Sequence, residues 1–192
     1  MNIEVEIKFL DVNFDRIREK LRKEKANFLK KFFEENIVFD TKDLELKNKN
    51  MVLRLRRADK ITICLKKPIK NMVPSKFKEL EEYEVETNNF EIAKKIFNNL
   101  GFLDAFKYEK IREVWKLSNC YIFLDELPFG KFVELEGEKE AIDEVIDILD
   151  LKRYPSSNKN YYQLFLESSK KDKSLVFPES FKSRFLEGGK NS

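Results

Sequence analysis

IEVEIKF, residues 3–9, alternates hydrophobe and charge without a break: Glu4, Glu6 and Lys8 share one face of an extended chain, and Ile3, Val5, Ile7 and Phe9 share the other. Successive side chains of a strand point to opposite faces, so this pattern predicts a strand over Asn2–Phe9 with one apolar and one charged side. The same alternation recurs along the chain. Arg54 and Arg56 oppose Leu53 and Leu55 in a strand over Met51–Ala58, and Thr62, Cys64 and Lys66 oppose Ile61, Ile63 and Leu65 after a tight Asp59-Lys60 connection. Glu82, Glu84 and Glu86 oppose Tyr83 and Val85 in Leu80–Thr87. Lys110 and Arg112 share a face in Tyr108–Leu117, Asp125 follows Tyr121 and Phe123 in Tyr121–Leu127, and Glu134 and Glu136 follow Phe132 in Lys131–Gly137. With Phe32–Phe39, eight strands are expected.

Helices fall between them. Phe14, Ile17, Leu21 and Phe28 recur near helical spacing after a capping stretch at Asp11 to Asn13. Asn89 caps a second helix in which Ile92, Ile96 and Leu100 repeat every four residues up to Gly101. Glu138–Leu149 and Asn160–Ser169 read as two more, DTKDLELKNKN as a loop with one helical turn, Lys67–Lys78 with Pro68 and Pro74 as a surface connector, and Pro178 as the start of a short terminal helix. Residues 1–169 make one domain, and 170–192 are expected to be a loosely packed extension.

Charged residues make up 38% of the 192, against an ordinary quarter, yet 38 Lys and Arg nearly balance 35 Asp and Glu. A net charge of +3, with no concentrated basic face, argues against nucleic acid as a partner. No apolar run approaches the ~20 residues that cross a bilayer, and MNIEVEIKFL has no signal-peptide core, so a cytoplasmic location is expected. The chain has no His, which removes the usual ligands of zinc and haem and the base of His triads; Cys64 and Cys120 read as reduced structural thiols.

Eight strands can close into a barrel just wide enough for side chains or one small ligand. The charged faces could point to solvent or inward, and the two choices imply different functions. Like charges two residues apart repel, and enclosing them costs several kcal/mol per unpaired ion unless opposite charges or a ligand compensate. A phosphate chain with Mg²⁺ or Mn²⁺ would use both signs, Arg and Lys donating to phosphate oxygens and Glu and Asp ligating the metal.

The ordered series IEVEIKF, VFDTKDLELKNKNMVLRLRR, ITICLKKP, EEYEVE, YEKIREVW, IFLDELPFGKFVELEGE and NYYQLF closely resembles the CYTH superfamily, the triphosphate tunnel metalloenzymes, over roughly Met1 to Leu166. The resemblance implies an α+β fold: an eight-stranded antiparallel β-barrel, the triphosphate tunnel, with helices packed outside and charged side chains within. It implies metal-site carboxylates at Glu4, Glu6, Glu134 and Glu136, supported by Asp125 and by Glu82 or Glu84. It implies phosphate binders at Arg54, Arg56, Lys66, Lys110 and Arg112, with Lys8 binding phosphate or positioning the attacking group; Lys8, Glu4 and Glu6 are the expected catalytic set. LDELPFGKFVELEGE and NYYQLF look more like the class IV adenylate cyclase branch, which turns ATP into cyclic AMP and pyrophosphate, than like the thiamine triphosphatase one. The other expectations are inorganic or thiamine triphosphatase activity, a non-catalytic polyphosphate- or nucleotide-binding module, and, from the family, a homodimer.

Overall fold

The computed structural model describes residues 2–70, 73, 75–168 and 174–188. Its elements in chain order are β1 (Asn2–Leu10), α1 (Phe14–Lys23), β2 (Asn27–Asp40), α2 (Glu45–Asn48), β3 (Val52–Arg57), β4 (Ile61–Pro68), β5 (Lys78–Thr87), α3 (Phe90–Asn99), β6 (Leu103–Leu117), β7 (Cys120–Leu127), β8 (Gly130–Gly137), α4 (Lys139–Ile148), β9 (Ser156–Ser157), α5 (Tyr161–Glu167) and α6 (Glu179–Gly188), with a 3-10 turn at Leu151–Arg153. The main strands pair antiparallel in the order β5-β4-β3-β2-β6-β7-β8-β1, and β1 also pairs with β5, which closes the barrel. β1 has three neighbours: Asn2–Glu6 lies against β5, Glu6–Leu10 against β8, and Lys8 and Phe9 against β9. The eight-stranded antiparallel barrel with helices outside is therefore the fold, as the family resemblance implies and as the count of eight alternating strands allows.

The apolar core lies outside the barrel wall. Phe14, Ile17 and Leu21 of α1 and Ile142, Val145 and Ile146 of α4 bury the outer faces of β1, β7 and β8, including Ile7, Phe9, Ile122, Leu124, Val133 and Leu135. Asn13 caps α1 by accepting from the Arg16 N–H, which satisfies one of the donors that a helix start leaves free. A second cluster under α3 joins Phe90 and Ala93 to Ile37, Phe39, Leu53 and Leu55. The charged faces of the strands are left for the inside.

Three expectations need correction. Phe28 belongs to β2, where its ring meets Trp115 edge-on at 4.9 Å, and α1 ends at Lys23. β2 and β6 start at Asn27 and Leu103, not near Phe32 and Tyr108, because they run together as one long ladder from Asn27↔Lys116 to Asp40↔Leu103; cross-strand hydrogen bonding outweighs the weak strand pattern of NFLKK. In α3 the stripe Ile92, Ile96 and Leu100 is exposed, and the helix packs through Phe90, Ala93 and Phe97, whose ring lies 5.0 Å from Phe39. Two apolar stripes compete on this helix, and the aromatic one fits the gap over β2 and β3.

β7 pairs only with residues 111–117 of β6, so the first half of β6 lacks a β7 neighbour. α5 and the C-terminal segment occupy that gap. Tyr162 stacks on Phe106 at 4.4 Å, and the Glu109 N–H donates to the Leu175 carbonyl at 2.8 Å. The Phe177 N–H and Lys182 Nζ in turn bond the buried Glu109 carboxylate at 2.9 and 2.7 Å. Pro74, Ser169–Lys173 and Gly189–Ser192 lie outside the described residues.

Candidate active site in the barrel interior

The barrel encloses a cavity of about 1230 Å³, lined by the charged face of nearly every strand. Alternation brings the residues in: Glu4, Glu6 and Lys8 from β1, Arg54 and Arg56 from β3, Lys66 from β4, Glu82 and Glu84 from β5, Lys110 and Arg112 from β6, Glu134 and Glu136 from β8. Asp125 of β7 is fully buried just behind this lining. Glu86 instead lies exposed at the rim, paired with Lys60.

Asp125 is the centre of one half of the site. Its carboxylate accepts from Lys110 Nζ at 2.9 Å, from Arg112 Nε at 2.7 Å and from the Tyr161 hydroxyl at 2.7 Å. Arg112 also bonds Glu134, which pairs with Lys8 Nζ at 2.6 Å. The ring of Tyr161, carried in by α5, lies under the ammonium groups of Lys8 and Lys110 at 4.8 and 5.2 Å. In the other half Lys66 Nζ holds both Glu4 oxygens at 2.5 Å and approaches Glu82 at 3.4 Å. Arg56 bonds Glu84 at 3.0 Å and Thr62 at 3.1 Å, and Arg54 donates to the Tyr108 hydroxyl at 3.3 Å. Both signs alternate through the cavity, which is how so many enclosed charges are tolerated.

The protonation states follow from this packing. For Glu6, burial pushes the pKa up but Lys78 and Lys8 outweigh it and bring it down to about 2. Burial works against the charged form of Lys8 too, and Glu134 and Glu6 reverse that, to about 12. Lys66 is raised in the same way by Glu4 and Glu6, and Glu134 is held far below the ordinary range because Lys8, Lys110 and Arg112 overcome its burial. Glu136 goes the other way. Burial, then repulsion from Glu4 and Glu6, raise it to about 7, and among the described residues no side chain pairs with its carboxylate.

Several site groups escaped the sequence reading. Glu34 and Asn36 on β2 are fully buried, and Asn36 Nδ2 donates to Glu34 at 3.1 Å. Glu34 faces Lys110 at 3.7 Å and is held near a pKa of about 2, burial being outweighed by Lys110, Arg112 and Arg54. The doublet Glu34-Glu35 hid the alternation that would have found it. Lys78, assigned to the connector, starts β5 and bonds Glu6 at 2.8 Å. Glu34 Oε2, Asn36 Oδ1 and Arg54 Nε are buried without a hydrogen-bond partner, and such orphans inside a charged cavity are what a polar ligand or ordered water would satisfy.

Among the described residues, the one group of three metal-type ligands with donor atoms within 4.8 Å of one another is Cys64, Glu82 and Glu84. Burial pushes the Cys64 thiol up to about 11, and thiol sulfur is a poor partner for hard cations. Glu4, Glu6, Glu134 and Glu136 are less tightly gathered, with lysines on the first three. Their chemistry still suits a hard divalent cation: four carboxylates on neighbouring β1 and β8, with Glu6 opposite Glu136, one of them short of positive charge.

Comparison with known proteins agrees with this architecture. A relative from Methanocaldococcus jannaschii, named "Putative adenylate cyclase MJ0240", is 31% identical over 174 residues, covering 84% of this chain and 98% of its own. The solved PH1819 protein from Pyrococcus horikoshii is 29% identical with a TM-score of 0.72, covering 85% of this chain and 98% of that one. A Hippeastrum adenylyl cyclase homologue described as having a dominant triphosphatase activity shares the fold at a TM-score of 0.65 and 19% identity, over 86% of this chain and 95% of that one. Residues 2–175 match the CYTH domain, so the chain belongs to the CYTH family.

Proposed function

We propose that this chain is a metal-dependent enzyme acting on a triphosphate compound inside the barrel, and that its reaction is the conversion of ATP to cyclic AMP and pyrophosphate. The observation that carries the reading is the convergence of Lys8, Arg54, Lys66, Lys110 and Arg112 on one enclosed cavity, each with a cationic group facing the same interior. Phosphate oxygens can take over the hydrogen bonds that Asp125, Glu134 and Glu4 now accept, so a triphosphate enters without leaving any of these cations unpaired. Lys110 and Arg112 would grip one part of the phosphate chain and Arg54 and Lys66 another, holding it extended for in-line displacement. Glu4, Glu6, Glu134 and Glu136 would hold Mg²⁺ or Mn²⁺, which when bound supplies charge neutralisation and Lewis acidity at the phosphate oxygens. In cyclisation the ribose 3′-oxygen bonds to the α-phosphorus as the bridging α–β P–O bond breaks; pyrophosphate leaves, and the hydroxyl proton passes to a cavity carboxylate.

A second reading, hydrolysis of inorganic or thiamine triphosphate, draws on the same charges, because the five basic residues recognise phosphate and nothing in them distinguishes an ester from the free chain. The deciding assay incubates the purified protein with Mg²⁺ or Mn²⁺ and each triphosphate. Cyclic AMP formed from ATP supports the proposal. Phosphate released from inorganic triphosphate with no cyclic AMP replaces it with the second reading, and tight binding without turnover makes the chain a binding module.

A further inference from the structure

β2 runs between two strands that carry four of the cavity's cations: β3 brings Arg54 and Arg56 along one edge, and β6 brings Lys110 and Arg112 along the other. Across these ladders Glu34 stands opposite Lys110, and Asn36 stands opposite Arg56 on one side and Tyr108 on the other. Directly opposed residues share a face of a sheet, so both side chains point into the barrel. Neither reaches the cavity lining; both are fully buried in the wall behind the basic side chains. One Glu34 oxygen accepts from Asn36 Nδ2 at 3.1 Å and faces Lys110 Nζ at 3.7 Å, and the other, Oε2, has no hydrogen-bond partner. The cations around it bond elsewhere: Lys110 to Asp125, Arg112 to Asp125 and Glu134, Arg56 to Glu84, and Arg54 to the Tyr108 hydroxyl. The carboxylate is therefore held by their combined field more than by contact, and that field outweighs its burial and keeps it ionised.

This sets Glu34 apart from the other acids of the site. Asp125, Glu134 and Glu4 hold cations through hydrogen bonds that phosphate oxygens can take over. Glu34 has no such bond to give up, so its charge stays in the wall when an anion is bound. The result is a standing repulsion that offsets part of the attraction of the four cations. Resting on the triphosphate reading above, we propose that Glu34, oriented by Asn36, is a fixed counter-charge that limits how tightly Arg54, Arg56, Lys110 and Arg112 hold a polyphosphate chain, so that the anionic product is released. Pyrophosphate from cyclisation and phosphate from hydrolysis both leave faster because of it.

The test measures binding of inorganic triphosphate and of pyrophosphate to the full chain, with and without Mg²⁺, by calorimetry, for the wild type, E34Q, E34M and E34D. Gln keeps an oxygen for the Asn36 amide, and Met removes the charge without turning a donor towards the cations, so one neutral variant serves where the other fails to fold. Loss of a unit charge this near the phosphates, at an effective dielectric of about 20, should tighten the binding of both anions about tenfold or more. E34D, which keeps the charge, should restore the wild-type affinities. With the triphosphate that the wild type turns over, kcat and KM should fall together in the neutral variants, as slowed product release requires; a carboxylate that only props up the wall would leave KM raised instead. Weaker or unchanged binding of both anions in a folded neutral variant, or tightening that E34D shares, overturns the inference and leaves the triphosphate reading standing. Unfolding of both neutral variants makes Glu34 a purely structural ion and overturns it as well. A wild type that binds neither anion overturns both the inference and the reading beneath it.

Discussion

Replacing Glu136 with Gln should make the metal-free protein more stable at alkaline pH. Glu136 is pushed from the ordinary 4.5 to about 7 by burial and by the Glu4 and Glu6 charges, only partly offset by Lys66 and Arg112. Because the folded-state value lies above the unfolded one, the folded protein binds the proton more tightly: the group does no harm below about pH 4.5, and stability is lost as pH rises to about 7, where the ionised carboxylate must stay enclosed. A rise of about 2.5 units corresponds to a ceiling of roughly 3 kcal/mol at 1.36 kcal/mol per unit, and partial contact with solvent reduces this to about 2 kcal/mol. Gln mimics the neutral acid, so the stability difference between E136Q and the wild type should be near zero at pH 4.5 and grow to about 2 kcal/mol at pH 8.5. For a chain of this length that is a melting-temperature gain of roughly 4–8 °C. The assay is thermal and urea unfolding in chelator across this pH range, repeated with Mg²⁺. The metal should stabilise the wild type more than the variant, because a cation relieves the same repulsion. Equal stability of the two proteins at pH 8.5, or a variant that loses stability as pH rises, would refute the reasoning.

Asp125→Asn removes the carboxylate that Lys110 and Arg112 share, leaving them only Glu34 and Glu134; it should cost about 3–5 kcal/mol by urea unfolding, with much of the loss recovered on adding inorganic triphosphate. Glu4→Gln with Glu6→Gln should abolish metal-dependent turnover while circular dichroism stays that of the wild type; unchanged activity would defeat the site assignment. Gly137→Ala should lose about 1–3 kcal/mol, since the added Cβ would sit 2.7 Å from the Asn119 carbonyl oxygen, a backbone atom that cannot step aside. Glu109→Ala removes the acceptor for the Phe177 N–H and Lys182, and should lower stability by about 1–3 kcal/mol and expose the C-terminal segment to limited proteolysis.

Legibility followed the range of the forces involved. In IEVEIKF, as in VLRLRR and VELEG, neighbouring side chains must point to opposite sides of an extended backbone, so the partition into Glu4, Glu6 and Lys8 against Val5, Ile7 and Phe9 is written in the chain. Where two residues of one kind adjoin, as at Glu34-Glu35, the period is lost and the buried Glu34–Asn36 pair was invisible. The reach of β2 back to Asn27 was equally hidden, because its partner, Leu103–Lys116, lies more than sixty residues away. Phe28 and the Ile92, Ile96 and Leu100 stripe matched helical spacing, yet a strand ladder claimed the one and the larger Phe90 and Phe97 left the other in solvent.

By itself, then, the sequence determined which residues share a face, the eight strands of the barrel and the sign of the charges along each, because these follow from local backbone geometry; the short β9 was not legible. Local alternation left the direction of the charged faces open; the family resemblance implied the inward choice, and closure of the barrel decides it. That choice depends on β1 dividing its hydrogen bonds between β5 and β8, and on α1, α3 and α4 covering the apolar outer wall, contacts between segments far apart in the chain that no local pattern encodes. The same closure carries Tyr161 from α5 onto Asp125 and sets Phe123 against Arg112, joining charges and rings from separate strands into one site.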